Sequence, residues 1–117
     1  MNITHSLYTQ YTSDYTSVIS YKKGLLIMEL KVNKTSDPKK VAGAIASNLR
    51  EGNDVKIIVI GPAAVNQAIK SIIIARGYIA TNGFDLTVVP SFTKVSVTDS
   101  DEQRSAVVLE VTRSEDE

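Results

Sequence analysis

Residues 26–32 alternate. Leu26, Met28, Leu30 and Val32 are apolar, and Glu29, Lys31 and Asn33 interleave with them. A period of two predicts a half-buried strand. The next apolar set, Val41, Ala42, Ile45, Ala46 and Leu49, recurs at spacings of three and four, the signature of a helix with one buried stripe. Lys39, Lys40, Ser47 and Arg50 fall on its outer face. Asp37-Pro38 supplies a capping side chain and a first-turn proline, and Gly52 stops the helix after Glu51. Residues 57–60 are continuously apolar, as in a central strand covered on both faces or paired in parallel with the first. Gly61-Pro62 opens a second helix that Gly77 is expected to close, with Val65, Ala68, Ile69, Ile72 and Ile73 on its core face. At 100° per residue Ile74 falls opposite Val65, in the company of Ala63, Gln67 and Lys70. An isoleucine in that position points to a subunit interface built from Gln67, Lys70 and Ile74, although single exposed apolar residues also occur without a role.

After the Asn82-Gly83 turn, residues 84–97 read as a long strand. Its apolar positions are even-numbered at Leu86, Val88 and Phe92, then odd-numbered at Val95 and Val97, which predicts a kink or bulge near residues 90–93. An acidic loop at residues 99–102 turns the chain back, and Val107, Leu109 and Val111 mark a last antiparallel strand. The order is βαβαββ. It predicts a two-layer α/β (α+β) domain, one mixed four-stranded sheet with two helices packed on one face. Residues 1–24 are rich in Tyr, Thr and Ser, a composition with little apolar surface to offset the entropy of ordering, and are expected to be a flexible extension. Tyr8, Tyr11 and Tyr15 there could stack on single-stranded bases, or the segment could be inert. The domain spans residues 25–113, and residues 114–117 form an acidic tail.

Composition removes several function classes. A chain of 117 residues makes one domain with one modest core. It has no cysteine, hence no disulfide, zinc-thiolate site or thiol nucleophile, which suits a cytoplasmic protein. The one histidine, His5, lies in the polar extension, and no paired carboxylates or phosphate-loop glycine pattern accompany it. No catalytic site, metal or cofactor is therefore expected, and Asp99, Asp101 and Glu102 read as a solvated hairpin tip. Neither a signal peptide nor a membrane span is expected, since the first 20 residues lack a basic start and an apolar core and no apolar run reaches 18 residues.

Net charge is zero, yet residues 28–76 carry eight basic and four acidic side chains while residues 77–117 carry three basic and eight acidic. Such a split can give a neutral chain a basic face, or be ordinary solvation. Gly61 begins the second helix without a capping side chain, so the N–H groups of Ala63, Ala64 and Val65 face either water or an anion such as a backbone phosphate, with Asn66 nearby.

The segments VAGAIASNLREG, IIVIGPAAVNQAIKSIIIARGYIATNGFDLTVVPSF and RSAVVLEVTR resemble the stage V sporulation protein S family, whose fold is similar to that of the Alba nucleic-acid-binding proteins. The resemblance covers residues 28–113. It implies the same βαβαββ order, a homodimer or higher homo-oligomer, and phosphate contacts from three regions: Lys34, Lys39 and Lys40 after the first strand, Lys70 and Arg76 on the second helix, and Lys94 and Arg104 on the hairpin arms. Where Alba proteins carry arginines around a glycine this chain has Gly61, Pro62 and Ala63, and its hairpin tip is acidic. The implied function is a small non-catalytic regulator in sporulation that binds DNA or RNA backbone weakly and without sequence specificity. The alternatives are a protein-interaction module on the same scaffold, or a sensor of a small anionic ligand at the start of the second helix.

Overall fold

The computed structural model describes residues 4–11, 15–22, 25–96 and 102–115. The elements run β1 (Thr4–Tyr11), β2 (Tyr15–Lys22), β3 (Leu25–Val32), α1 (Pro38–Arg50), β4 (Asp54–Val59), α2 (Pro62–Ala80), β5 (Phe84–Ser96) and β6 (Gln103–Glu115). From β3 onward this is the expected βαβαββ order. The sheet order is β1-β2-β3-β4-β6-β5, with β3 and β4 parallel and every other neighbouring pair antiparallel. The four expected strands thus form one mixed sheet, and two more lie beyond β3.

β1 and β2 lie within residues 1–24, the segment expected from composition to be a flexible extension. β2 pairs with β3 along its whole length, from Tyr15 opposite Val32 to Lys22 opposite Leu25. A composition that buries little core still permits a strand. Backbone pairing on the open edge of β3 needs no buried side chain, and Tyr, Thr, Val and Ile, which make up five of residues 15–21, suit a pleated strand.

Both helices cover one face. In register, Leu30, Ile57 and Leu109 form one row across β3, β4 and β6, and Val55 and Val111 begin the next. These residues pack with Val41, Ile45 and Leu49 of α1 and with Ala64, Ala68, Ile72, Ala75 and Ile79 of α2 in a single core cluster. The Asp37 side chain caps α1 by accepting from the Lys39 N–H at 3.0 Å, with Pro38 in the first turn. Gly52, at φ 85°, ends it as expected, in the left-handed region that favours glycine.

The inward face of α2 differs from the expectation. Its buried residues are Ala64, Ala68, Ser71, Ile72, Ala75 and Ile79. Ile69 and Ile73 are 40% and 63% exposed, whereas Ile74 is half-buried against the core. Apolar residues surround most of this helix, so period alone left the arc free to rotate. Close approach to the sheet selected the stripe of small side chains. Nor does Gly77 end α2, which continues to Ala80. Ile79 is fully buried, and the Arg50 side chain donates to the Tyr78 carbonyl at 3.3 Å and to Asn82 Oδ1 at 2.9 Å, holding the last turn. A helical, exposed glycine with nothing within 4 Å of an added Cβ costs helix stability for no packing gain. Gly77→Ala is therefore expected to stabilise the protein by about 0.5–1 kcal/mol, read as a higher denaturant midpoint at constant slope.

β5 contains no bulge. It pairs with β6 residue for residue from Phe84 opposite Glu115 to Ser96 opposite Gln103. The parity change reflects which face is covered. Even-numbered residues lie on the helix side, where Leu86 and Val88 are half-buried, but Phe92 lies beyond the helices and is 84% exposed. Past Pro90 the odd-numbered Thr93 and Val95 are half-buried instead, on the face that carries Ala106 and Val108. As the outer strand, β5 tolerates Pro90. No helix among the described residues is long and apolar enough to cross a membrane.

Candidate nucleic-acid interface

Parallel β3 and β4 end side by side, and the chain leaves both ends in turns, towards α1 and towards α2. Between these turns and the arms of the β5–β6 hairpin lies a cleft of about 600 Å³. Lys31, Lys34 and Arg104 line it together with Ile58, Ile60 and Val95. Residues 61–64 complete it at the start of α2.

The turn after β3 is built by polar side chains. Asn33 Oδ1 accepts from the Thr35 N–H at 2.9 Å and from the Thr35 hydroxyl at 2.8 Å, and the Asn33 N–H donates to Ser36 Oγ at 3.0 Å. An Asn with this pattern makes a side-chain-closed turn. Gln67 Nε2 donates to the Ser36 carbonyl at 2.8 Å and so ties the turn to α2. Gln67, expected at a subunit interface, is a brace that fixes the segment carrying Lys34.

Gly61 occupies the turn after β4 at φ 87° and ψ 158°, a conformation a Cβ would strain. No side chain caps α2. Its first turn is satisfied at Val65, whose N–H donates to the Gly61 carbonyl at 3.1 Å, so Val65 does not offer the donor expected of it. Ala63 and Ala64 line the cleft; Asn66 is exposed and stands outside its lining.

The expected phosphate contacts are sorted into separate places. Lys34 and Arg104 meet in the cleft, joined by Lys31, which sequence reasoning passed over. The signal for Lys31 was present: it is an outward member of the β3 alternation, two residues before the turn that begins at Asn33. Lys39 and Lys70 lie in a groove of about 330 Å³ with Pro38, Ile73 and Ile74, where the start of α1 meets α2. Lys40 is exposed on α1. Lys94 borders a recess of about 310 Å³ on the helix-free face that Lys56, Glu29 and Glu110 also line.

Other basic residues serve the fold. Arg76 makes a two-pronged pair with Asp85, at 2.7 and 3.2 Å. That guanidinium, with the Leu86 N–H, holds the Asp85 carboxyl below its ordinary range. Arg113 donates to the Leu49 and Arg50 carbonyls, each at 3.2 Å, and its guanidinium lies 4.2 Å from the centre of the Phe84 ring. Arg50 and Arg113 thus satisfy the C-terminal carbonyls of α2 and α1. Among the described residues no cluster of His, Cys, Asp or Glu could hold a metal ion; Asp99 and Asp101 of the acidic tip lie outside them.

The family model described as Stage V sporulation protein S (SpoVS) matches residues 28–114, which include the cleft, both helices and most of the hairpin and leave β1 and β2 outside.

Proposed function

The chain belongs to the stage V sporulation protein S family, a sporulation-related group, and we propose that it acts there as a small cytoplasmic, non-catalytic regulator that binds nucleic-acid backbone through the cleft at the ends of β3 and β4. The observation that carries this reading is the charge of the lining: three cationic side chains, Lys31, Lys34 and Arg104, and, among the described residues, no carboxylate. Phosphate neutralisation supplies most non-specific affinity for nucleic acid. Lys39 and Lys70, in the groove at the start of α1 with Asp37, and the exposed Lys40 would add to the positive field. A second copy on the outward face of α2, where Ile69 and Ile73 are exposed, would double the number of contacts per particle.

Fluorescence anisotropy with short DNA and RNA oligonucleotides, titrated with salt, tests the reading. Three contacts per subunit give an expected slope of about −2 to −3 in log affinity against log salt. Absence of binding at low salt would end it.

A further inference from the structure

We infer that the cleft accepts one nucleotide unit of a single strand, its phosphate against Lys34 and Arg104 and its base along the wall of Ile58, Ile60 and Val95. This rests on the reading above and adds the form of nucleic acid.

The first reason is shape. A recess of about 600 Å³ falls in the range of sites that enclose small molecules, roughly 300–1,000 Å³. A duplex keeps its bases stacked inside and could offer only phosphates to the rim. The aliphatic wall would then stay wet, although Ile60 is 38% exposed and lines the recess. An unstacked base has a face to lay on such a wall. Covering about 60 Å² of apolar surface corresponds to about tenfold in affinity.

The second reason is the charge beside the cleft. The recess on the helix-free face shares Ile58 and Val95 with it, so the two are neighbours on one surface. That recess places Glu29 and Glu110 among Lys56, Lys94, Ser91 and Thr93. Two carboxylates and two lysines cancel there, with Lys56 in register between Glu29 and Glu110, so the recess offers no net attraction to the second row of phosphates that a duplex lying across the sheet would bring. The carboxylates suit base edges, whose exocyclic amines donate hydrogen bonds. The net positive charge for a phosphate is in the cleft, and the recess beside it offers donors and acceptors to base edges.

Four probes decide the matter by anisotropy or competition at one salt concentration: a single-stranded oligonucleotide, a strand of the same length with every base removed, a duplex of that length, and a free mononucleotide as competitor. The base-bearing strand is expected to bind about tenfold more tightly than the base-free strand, and more tightly than the duplex. Equal affinity for strands with and without bases, or for strand and duplex, would overturn the inference while leaving backbone binding intact. A mononucleotide that binds as tightly as the strand would make the site one for a free nucleotide and overturn it too. Loss of all binding would remove the functional reading itself. Ile60→Ser leaves charge unchanged and is expected to bring the two strands' affinities together, with the base-free strand unaffected. An undiminished preference in that variant would contradict the assignment of the wall.

Discussion

Reversing Lys34 and Arg104 to glutamate together is expected to weaken oligonucleotide binding by more than a hundredfold at low salt, with no change in the unfolding midpoint. Both residues are exposed and line the cleft from separate segments, the turn after β3 and the start of β6. A hydrogen bond to a charged group contributes about 1.5–3 kcal/mol, so losing two costs about 3–6 kcal/mol before the repulsion from the new carboxylates is added. Anisotropy at fixed low salt measures the loss, and thermal unfolding shows whether the fold persists. The control is the Lys39→Glu, Lys70→Glu pair. It changes net charge equally but in the groove between the helices. Its expected cost is about tenfold, from the altered field alone. Equal losses from the two pairs would mean a diffuse basic surface in place of a cleft.

Ile57→Ala is expected to destabilise the protein by about 3–4 kcal/mol, a large part of the roughly 5–15 kcal/mol typical of a domain. Ile57 is fully buried in β4, with Leu30 beside it on β3 and Leu109 on β6. Truncation leaves a cavity where three strands and the helices meet, and such a site has little room to collapse. The denaturant midpoint should fall with the slope unchanged. Ile73→Ala makes the informative contrast. The spacing of apolar residues assigned Ile73 to the core, but it is 63% exposed, and its truncation is expected to change the stability of the single subunit, measured at a concentration where no dimer forms, by no more than about 0.5 kcal/mol. A large loss at Ile73 and a small one at Ile57 would reverse the orientation of α2.

Much of the candidate site was legible residue by residue. Gly61-Pro62 marked a helix start lacking a side-chain cap, and Asp37-Pro38 marked one that has it. Lys34 and Arg104 were recognisable as cations near strand ends. Their meeting was not, because they stand 70 residues apart in the chain and are joined only when β6 lies between β4 and β5. Arg76 shows the reverse. Its charge suggested a phosphate contact, and the packing of α2 beside β5 gave it Asp85.

The amino-acid sequence by itself determined the order of elements from β3 to β6, the ends of α1, and the face of β3 and β6 that turns inward. Those features follow from local rules: period two or 3.6, a capping side chain, a glycine at positive φ. Only the tertiary structure decided the inward arc of α2, the continuity of β5 and the pairing of β2 with β3. Each depends on what lies opposite. An apolar residue is buried when a neighbour covers it: Ala68 and Ile72 face the core, Ile73 faces out on the same helix, and β5 changes its buried parity where the helices end, without a change in its own backbone pairing.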